Sequence, residues 1–137
     1  MTPFVVDASI VAAWCLDERP LGPSEQLLKA LAAGGRAVAP SLWLFEVANV
    51  LKTAFRQKRL TEAEVSTLRR LVGGLRVEIA HEPPARILDT VLSLAIRYDL
   101  TAYDAAYVEL SLREGLPLAT LDKDLIAAAT AAGVRVL

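Results

Sequence analysis

The sequence predicts an α/β fold in which a central parallel sheet of four to five short strands is flanked by helices. Three observations carry this expectation. Short β-rich runs alternate with longer stretches of helical composition. Nearly every helical stretch is bounded by Pro, Gly or a capping residue. The 137 residues, 54% apolar and 23% charged, are enough for one buried core and contain no low-complexity tract. Strands that alternate with helices favour a parallel sheet covered on both faces. No repeat or linker interrupts the pattern, so one domain spanning 1–137 is expected.

Phe4-Val5-Val6 reads as the first strand and ends at Asp7, with Ala8 to Leu16 as the helix that follows. After the breakers Pro20, Gly22 and Pro23, a second helix runs from Ser24 to Ala33 and closes at Gly34-Gly35. Ala37-Val38-Ala39 is the next strand, and Pro40-Ser41 opens a longer helix from Leu42 to about Gln57. Thr61 and Glu64 have the spacing of a capping box, which predicts a helix from Glu62 to about Val72 that stops at Gly73-Gly74. Val77 to Ala80 is a third strand. Pro83-Pro84 starts a helix to about Tyr98, and Thr101 caps another that reaches Glu114 before Gly115. Leu116 to Thr120 is a fourth strand, a last helix runs from about Lys123 to Ala132, and Val134-Arg135-Val136 after Gly133 is a fifth.

Charge and composition exclude several classes. Fifteen Lys and Arg against sixteen Asp and Glu give a net charge of -1, which argues against a generally basic nucleic-acid coat. One cysteine, Cys15, and one histidine, His81, leave no disulfide, no cysteine zinc site and no multi-histidine site. Any metal must therefore be held by oxygen. No apolar run reaches membrane-spanning length, and the apolar start contains Asp7 without a basic segment before it. A soluble, unexported, cytoplasmic protein is expected.

Ligands of open α/β sheets bind beyond the carboxyl ends of the strands, which singles out Asp7 and Asp122. Asp104 falls at the third position of the helix capped by Thr101, and Glu46 is the only charge in the ten residues Leu42 to Leu51. The bland alternatives are that Asp7 and Asp122 cap the helices they precede and that Asp104 faces a helix N-terminus. For Glu46 the alternative is a buried pair with an arginine, because its surroundings are too apolar for a solvated face. Asn49 lies one turn further on the same face. If the four acids meet, their repulsion raises pKa values unless a divalent cation lies among them. Carboxylates and water suit magnesium or manganese, and such a site activates water for attack on a phosphodiester.

These segments also carry a resemblance. Phe4-Val5-Val6-Asp7-Ala8-Ser9, Glu46-Val47-Ala48-Asn49-Val50-Leu51, Tyr103-Asp104-Ala105-Ala106-Tyr107 and Ala119-Thr120-Leu121-Asp122-Lys123-Asp124-Leu125 together resemble a PIN domain. More narrowly they resemble the toxin of the VapBC type of toxin-antitoxin pair, over essentially the whole chain. The resemblance implies a PIN-like three-layer fold, usually dimeric, with Mg2+- or Mn2+-dependent endoribonuclease activity and a small antitoxin that blocks the acidic groove. Asp7, Glu46 and Asp104 match the three main acids, and Asp122 matches the fourth, with Asp124 as its competitor. Ser9 and Thr120 match hydroxyl positions beside the acids, and Asn49 matches the polar residue after the helix acid.

Charge is unevenly distributed along the chain. Lys52 to Arg76 holds seven basic and two acidic residues, a segment of +5 that leaves -6 for the remainder. Lys52, Arg56 and Arg59 follow helical spacing beyond Asn49 and are candidates to carry RNA phosphates toward the acids, against the alternative of a solvated face. Trp14, Trp43, Phe45 and Phe55 are read as core or dimer-interface residues rather than base-stacking platforms. Two other function classes stay open: a housekeeping RNA-processing nuclease of the same fold, and a non-catalytic RNA-binding scaffold whose acids are caps and buried pairs. Glu46 has no clear purpose in the scaffold.

Overall fold

The computed structural model describes residues 2–16 and 22–137. The break read at Pro20 lies outside the described residues. Strand β1 (Phe4–Val6) runs into α1 (Ala8–Leu16) through Asp7 alone, and α2 (Pro23–Ala32) leads to β2 (Ala37–Pro40). Then come α3 (Leu42–Arg56), α4 (Glu62–Gly73) and β3 (Val77–Ala80). A helical run over 84–98 comprises α5 (Pro84–Arg86), a π turn (Ile87–Val91) and α6 (Leu92–Tyr98). The chain continues with α7 (Ala102–Glu114), β4 (Leu118–Ala119) and α8 (Lys123–Ala131). None of these helices is long and apolar enough to cross a membrane.

The strands form one parallel sheet in the order β3-β2-β1-β4. Val5 pairs with Val38 on one side and with Leu118 on the other, so β1 is central, and all of its residues are buried. The neighbouring β2 is buried throughout, whereas β3, at the edge, is only partly covered. Helix α7 packs on β1 and β2 and buries seven consecutive residues from Ala105 to Ser111. A helix buried on all sides is held by its neighbours rather than by an amphipathic stripe.

The capping chemistry read from the sequence sets the helix ends. Thr61 and Glu64 form the reciprocal capping box, with bonds of 3.1 and 3.0 Å. The Thr101 hydroxyl accepts the Asp104 N–H at 3.1 Å and starts α7. Gly115 ends that helix with φ 65, a left-handed conformation that costs glycine nothing.

The C-terminal strand contracts to a single bridge. Leu118 donates to the Arg135 carbonyl at 2.9 Å and accepts from Leu137 N–H at 2.9 Å, which leaves one parallel bridge between Leu118 and Val136. Its partner β4 is only two residues long, too short to support a longer ladder. The expected helix from Pro83-Pro84 to Tyr98 forms, but with the π turn inside it. Val91 at the end of that turn and Ala95 of α6 pack on Ala105 and Ala106 of α7.

Candidate functional site

The sheet order reverses between β1 and β4, which opens a crevice at their carboxyl ends. Asp7 and Thr120 are the first residues after these two strands. Glu46 enters from α3, Asp104 from the first turn of α7, and Asp122 from the residue before α8. Asp7, Glu46, Asp104 and Asp122 all line one groove of about 510 Å³, together with Ser9, Asn49, Thr53, Gln57 and Arg59. Helix α3 contributes its face through Glu46, Asn49, Val50 and Thr53, the spacing of neighbours on one side of a helix, and its C-cap residue Gln57 extends the row.

Asp7 is buried and held at both oxygens. Its Oδ1 accepts the Ser9 N–H at 2.6 Å, the bond of an N-cap, and its Oδ2 accepts from the Thr120 hydroxyl. Thr120 Oγ1 in turn accepts the Asp122 N–H at 3.1 Å, and Ser9 Oγ accepts the Leu121 N–H at 2.9 Å. Thus Ser9 and Thr120 lock the β1–α1 and β4–α8 turns together. Asp122 caps α8, with Oδ1 accepting from Asp124 and Leu125 at 2.9 and 3.1 Å. Capping and facing the groove are therefore compatible: the cap fixes the carboxylate's direction. Asp124 sits inside α8 and does not line the groove.

Glu46 has no arginine partner; among the described residues no Lys or Arg pairs with it. Its partner is the Tyr107 hydroxyl, which donates to Oε1. Sequence reasoning quoted Tyr107 as part of a motif but gave it no role. The available signal was a tyrosine one turn after Asp104, directly behind Ala105 and Ala106, where a buried phenol needs an acceptor.

The acids disturb one another. Burial raises the Asp7 carboxyl above its ordinary range against the pull of its Thr120 and Ser9 bonds, and Asp122 adds to the rise. Glu46 is raised by desolvation, with contributions from Asp7 and Asp104, while the Tyr107 bond opposes the rise. Asp104 is raised by desolvation, then by Asp122 and Asp7. Yet among the described residues no three His, Cys, Asp or Glu side chains close up as a metal cage. The acids are near enough to repel one another while staying spread along the groove.

This arrangement fixes the sign of a pH effect. Carboxylates raised in the folded state bind protons more readily than the same groups unfolded, so they subtract from stability above their folded pKa. That penalty is relieved as pH falls through the folded values toward the ordinary 3.8 of Asp and 4.5 of Glu. In metal-free buffer Asp7→Asn is therefore expected to melt above the wild type at pH 7, with the gap narrowing in weak acid. Thermal melts of both proteins across this range check it, and a gap that widens on acidification would contradict the assigned sign.

The basic residues divide. Arg59 lines the acidic groove, whereas Lys52 lines a second, apolar groove of about 680 Å³ between α3, α4 and β3. Arg56 is exposed at the end of α3 and lines neither groove. The aromatics expected in the core or at a dimer interface divide as well. Trp43 is buried and Trp14 is tied to the Ser24 carbonyl at 2.7 Å, but Phe45 is 76% exposed and Phe55 is also open. An apolar helix sequence specifies which residues avoid water, not whether this chain alone covers them.

Comparison with known proteins agrees with this architecture. The PIN domain family model matches residues 4–131. Ribonuclease VapC3 of Pyrobaculum aerophilum is 34% identical over 121 residues, 88% of this chain and 90% of that protein. Exonuclease VapC9 of the same organism is 34% identical over 87 residues, 63% of this chain and 62% of that protein. The crystal structure of PAE2754 from Pyrobaculum aerophilum superposes with a TM-score of 0.74 at 26% identity, covering 98% of this chain and 83% of the other. The chain belongs to the PIN domain family and, within it, to the VapC-type proteins.

Proposed function

We propose that the chain is a Mg2+- or Mn2+-dependent endoribonuclease that acts as the toxin of a toxin-antitoxin pair. The convergence of Asp7, Glu46, Asp104 and Asp122 on one groove carries this reading, and the 34% identity to a protein named a ribonuclease supports it. A scaffold gains nothing from three carboxylates with raised pKa values in one crevice. The donors are oxygen only and their charge is uncompensated, which suits a hard divalent cation. An open spread of acids rather than a closed cage suits magnesium, which binds through one or two carboxylates and keeps waters.

Asp7, Glu46, Asp104 and Asp122 are the residues that would hold the cation. Such a cation would supply activation of water and neutralisation of phosphate charge. The chain's own residues supply orientation. Ser9 and Thr120 fix Asp7, and the first amides of α8 fix Asp122. Asn49, Thr53 and Gln57 offer neutral hydrogen-bonding groups along the groove, and Arg59 offers a positive charge for a phosphate. Lys52 and Arg56, outside this groove, act at longer range on the arriving strand.

The partners follow from the same reading. The antitoxin is a second protein for which the apolar groove between α3, α4 and β3 offers a seat. A homodimer would cover Phe45 together with Leu88, Leu92 and Ile96 of the helical run, all of them exposed. On this reading the protein works in the cytoplasm, beside its RNA substrate.

An exonuclease is the second reading, favoured by the name of the VapC9 relative. One experiment tests both. Purified chain freed of antitoxin is incubated with linear and with covalently circular RNA, in Mg2+ or Mn2+ and then in chelator. Cleavage of both forms with metal, and of neither with chelator, is expected. Cleavage of linear RNA alone would make it an exonuclease, and undiminished cleavage in chelator would end the metal assignment.

A further inference from the structure

We propose that Tyr107 is the positioning residue of the acidic groove: its phenol, seated between Glu46 and the turn after Asp7, sets the direction in which the Glu46 carboxylate faces the groove. This rests on the nuclease reading above. Tyr107 is 1% exposed, in the middle of the buried stretch of α7. Its hydroxyl donates to Glu46 Oε1, and the Ala8 backbone N–H bears on the same phenol oxygen. Ala8 follows Asp7 directly, and Asp104 lies one turn before Tyr107 on the same helix. The carriers of three acids, the β1–α1 turn, α3 and α7, therefore meet at one hydroxyl.

The choice of a phenol has a chemical reason. Glu46 is half-buried on α3 and among the described residues has no cation to orient it, so without a donor its two oxygens would be free to rotate toward the open groove. An arginine or lysine in this place would orient the carboxylate but also neutralise it, removing the negative charge that a divalent cation needs. A tyrosine is rigid and donates one hydrogen bond. It remains neutral as well, because burial and Glu46 push its ionisation far above the ordinary value of 10.0. It orients the charge and leaves it in place. Only one oxygen of Glu46 accepts this bond, and the other is left for the groove.

Tyr107→Phe keeps the ring and its packing and deletes only the hydroxyl. The variant is expected to fold, with unchanged circular dichroism and a cooperative melt. Its kcat on RNA should fall about 10- to 100-fold, as when outer partners of metal ligands are removed. KM should be unchanged, and the Kd for Mn2+ measured calorimetrically without RNA should rise by a similar factor. A purely structural role would move the melt and leave the Mn2+ Kd alone. As a measurement on the intact wild type, the Cζ resonance of 13C-labelled Tyr107 should shift on Mg2+ addition, and the shift should vanish in Glu46→Gln. Wild-type kcat and Mn2+ affinity in Tyr107→Phe, with Asp7→Asn inactive, would overturn the positioning role alone. Wild-type cleavage by Asp7→Asn would overturn the nuclease reading itself.

Discussion

Asp7→Asn is expected to abolish RNA cleavage while the protein stays folded. The substitution is nearly isosteric, and the Asn carbonyl oxygen can still accept the Ser9 N–H that caps α1. At the other position, the amide NH2 can donate to Thr120 Oγ1, with the hydroxyl proton turning elsewhere. What disappears is the negative charge at the carboxyl end of the central strand, where burial makes it costly and two neighbouring turns have been tied together to hold it. Loss of an outer partner alone costs about 10- to 100-fold, so removing the most buried of the four acids should cost at least about 100-fold. RNA cleavage assays with excess Mn2+ measure it, with circular dichroism as the folding control. Full activity would place the reacting phosphate somewhere other than this groove.

Much of this site was legible in the sequence because its signals are local. A β-rich run that ends in Asp marks Asp7, a Thr-x-Asp after a strand marks Asp122, and a single charge in ten apolar residues marks Glu46. The Thr61–Glu64 capping box, the Thr101 cap and the stop at Gly115 are local too, and the structure has them at the expected residues. What stayed hidden depends on contacts between distant segments. The Tyr107–Glu46 bond joins positions 61 residues apart, and no spacing rule reaches that far. Arg59 and Lys52 follow one helical count in the sequence, but the helix ends at Arg56 and Lys58 adopts a left-handed φ of 60. The chain turns there, so Arg59 reaches the acidic groove while Lys52 stays on the apolar side. Which half of the core-or-interface expectation Phe45 meets stayed hidden for a different reason. Its sequence neighbourhood is that of a core residue, and only the packing of α3 shows that this face is left open.

Arg113→Met is expected to lower stability by about 3 kcal/mol, since breaking a buried pair leaves an uncompensated charge. Glu109, on the same buried helix as Asp104 and Tyr107, is 2% exposed, and its Oε1 accepts from Arg113 Nε at 3.0 Å and from Arg86 Nη1 at 3.1 Å. Arg113 also lies 3.8 Å from Glu82 and 3.4 Å from Glu114, so one guanidinium serves three carboxylates. Glu82 depends on it most, because its Oε1 is buried and makes no hydrogen bond. Methionine fills the space of the aliphatic stem, so the loss is chiefly electrostatic. Arg86 remains on Glu109 and keeps the cost toward the low end of the range for broken buried pairs. The network lies toward the opposite end of α7 from Asp104, so cleavage measured well below the melting temperature should be retained. Urea unfolding at neutral pH gives the stability difference, and adding Glu109→Gln to Arg113→Met should recover part of it by removing the stranded charge. An Arg113→Met variant as stable as the wild type would mean that Glu109 and Glu82 reach water when released, and that the network contributes nothing to holding the helix that carries Asp104.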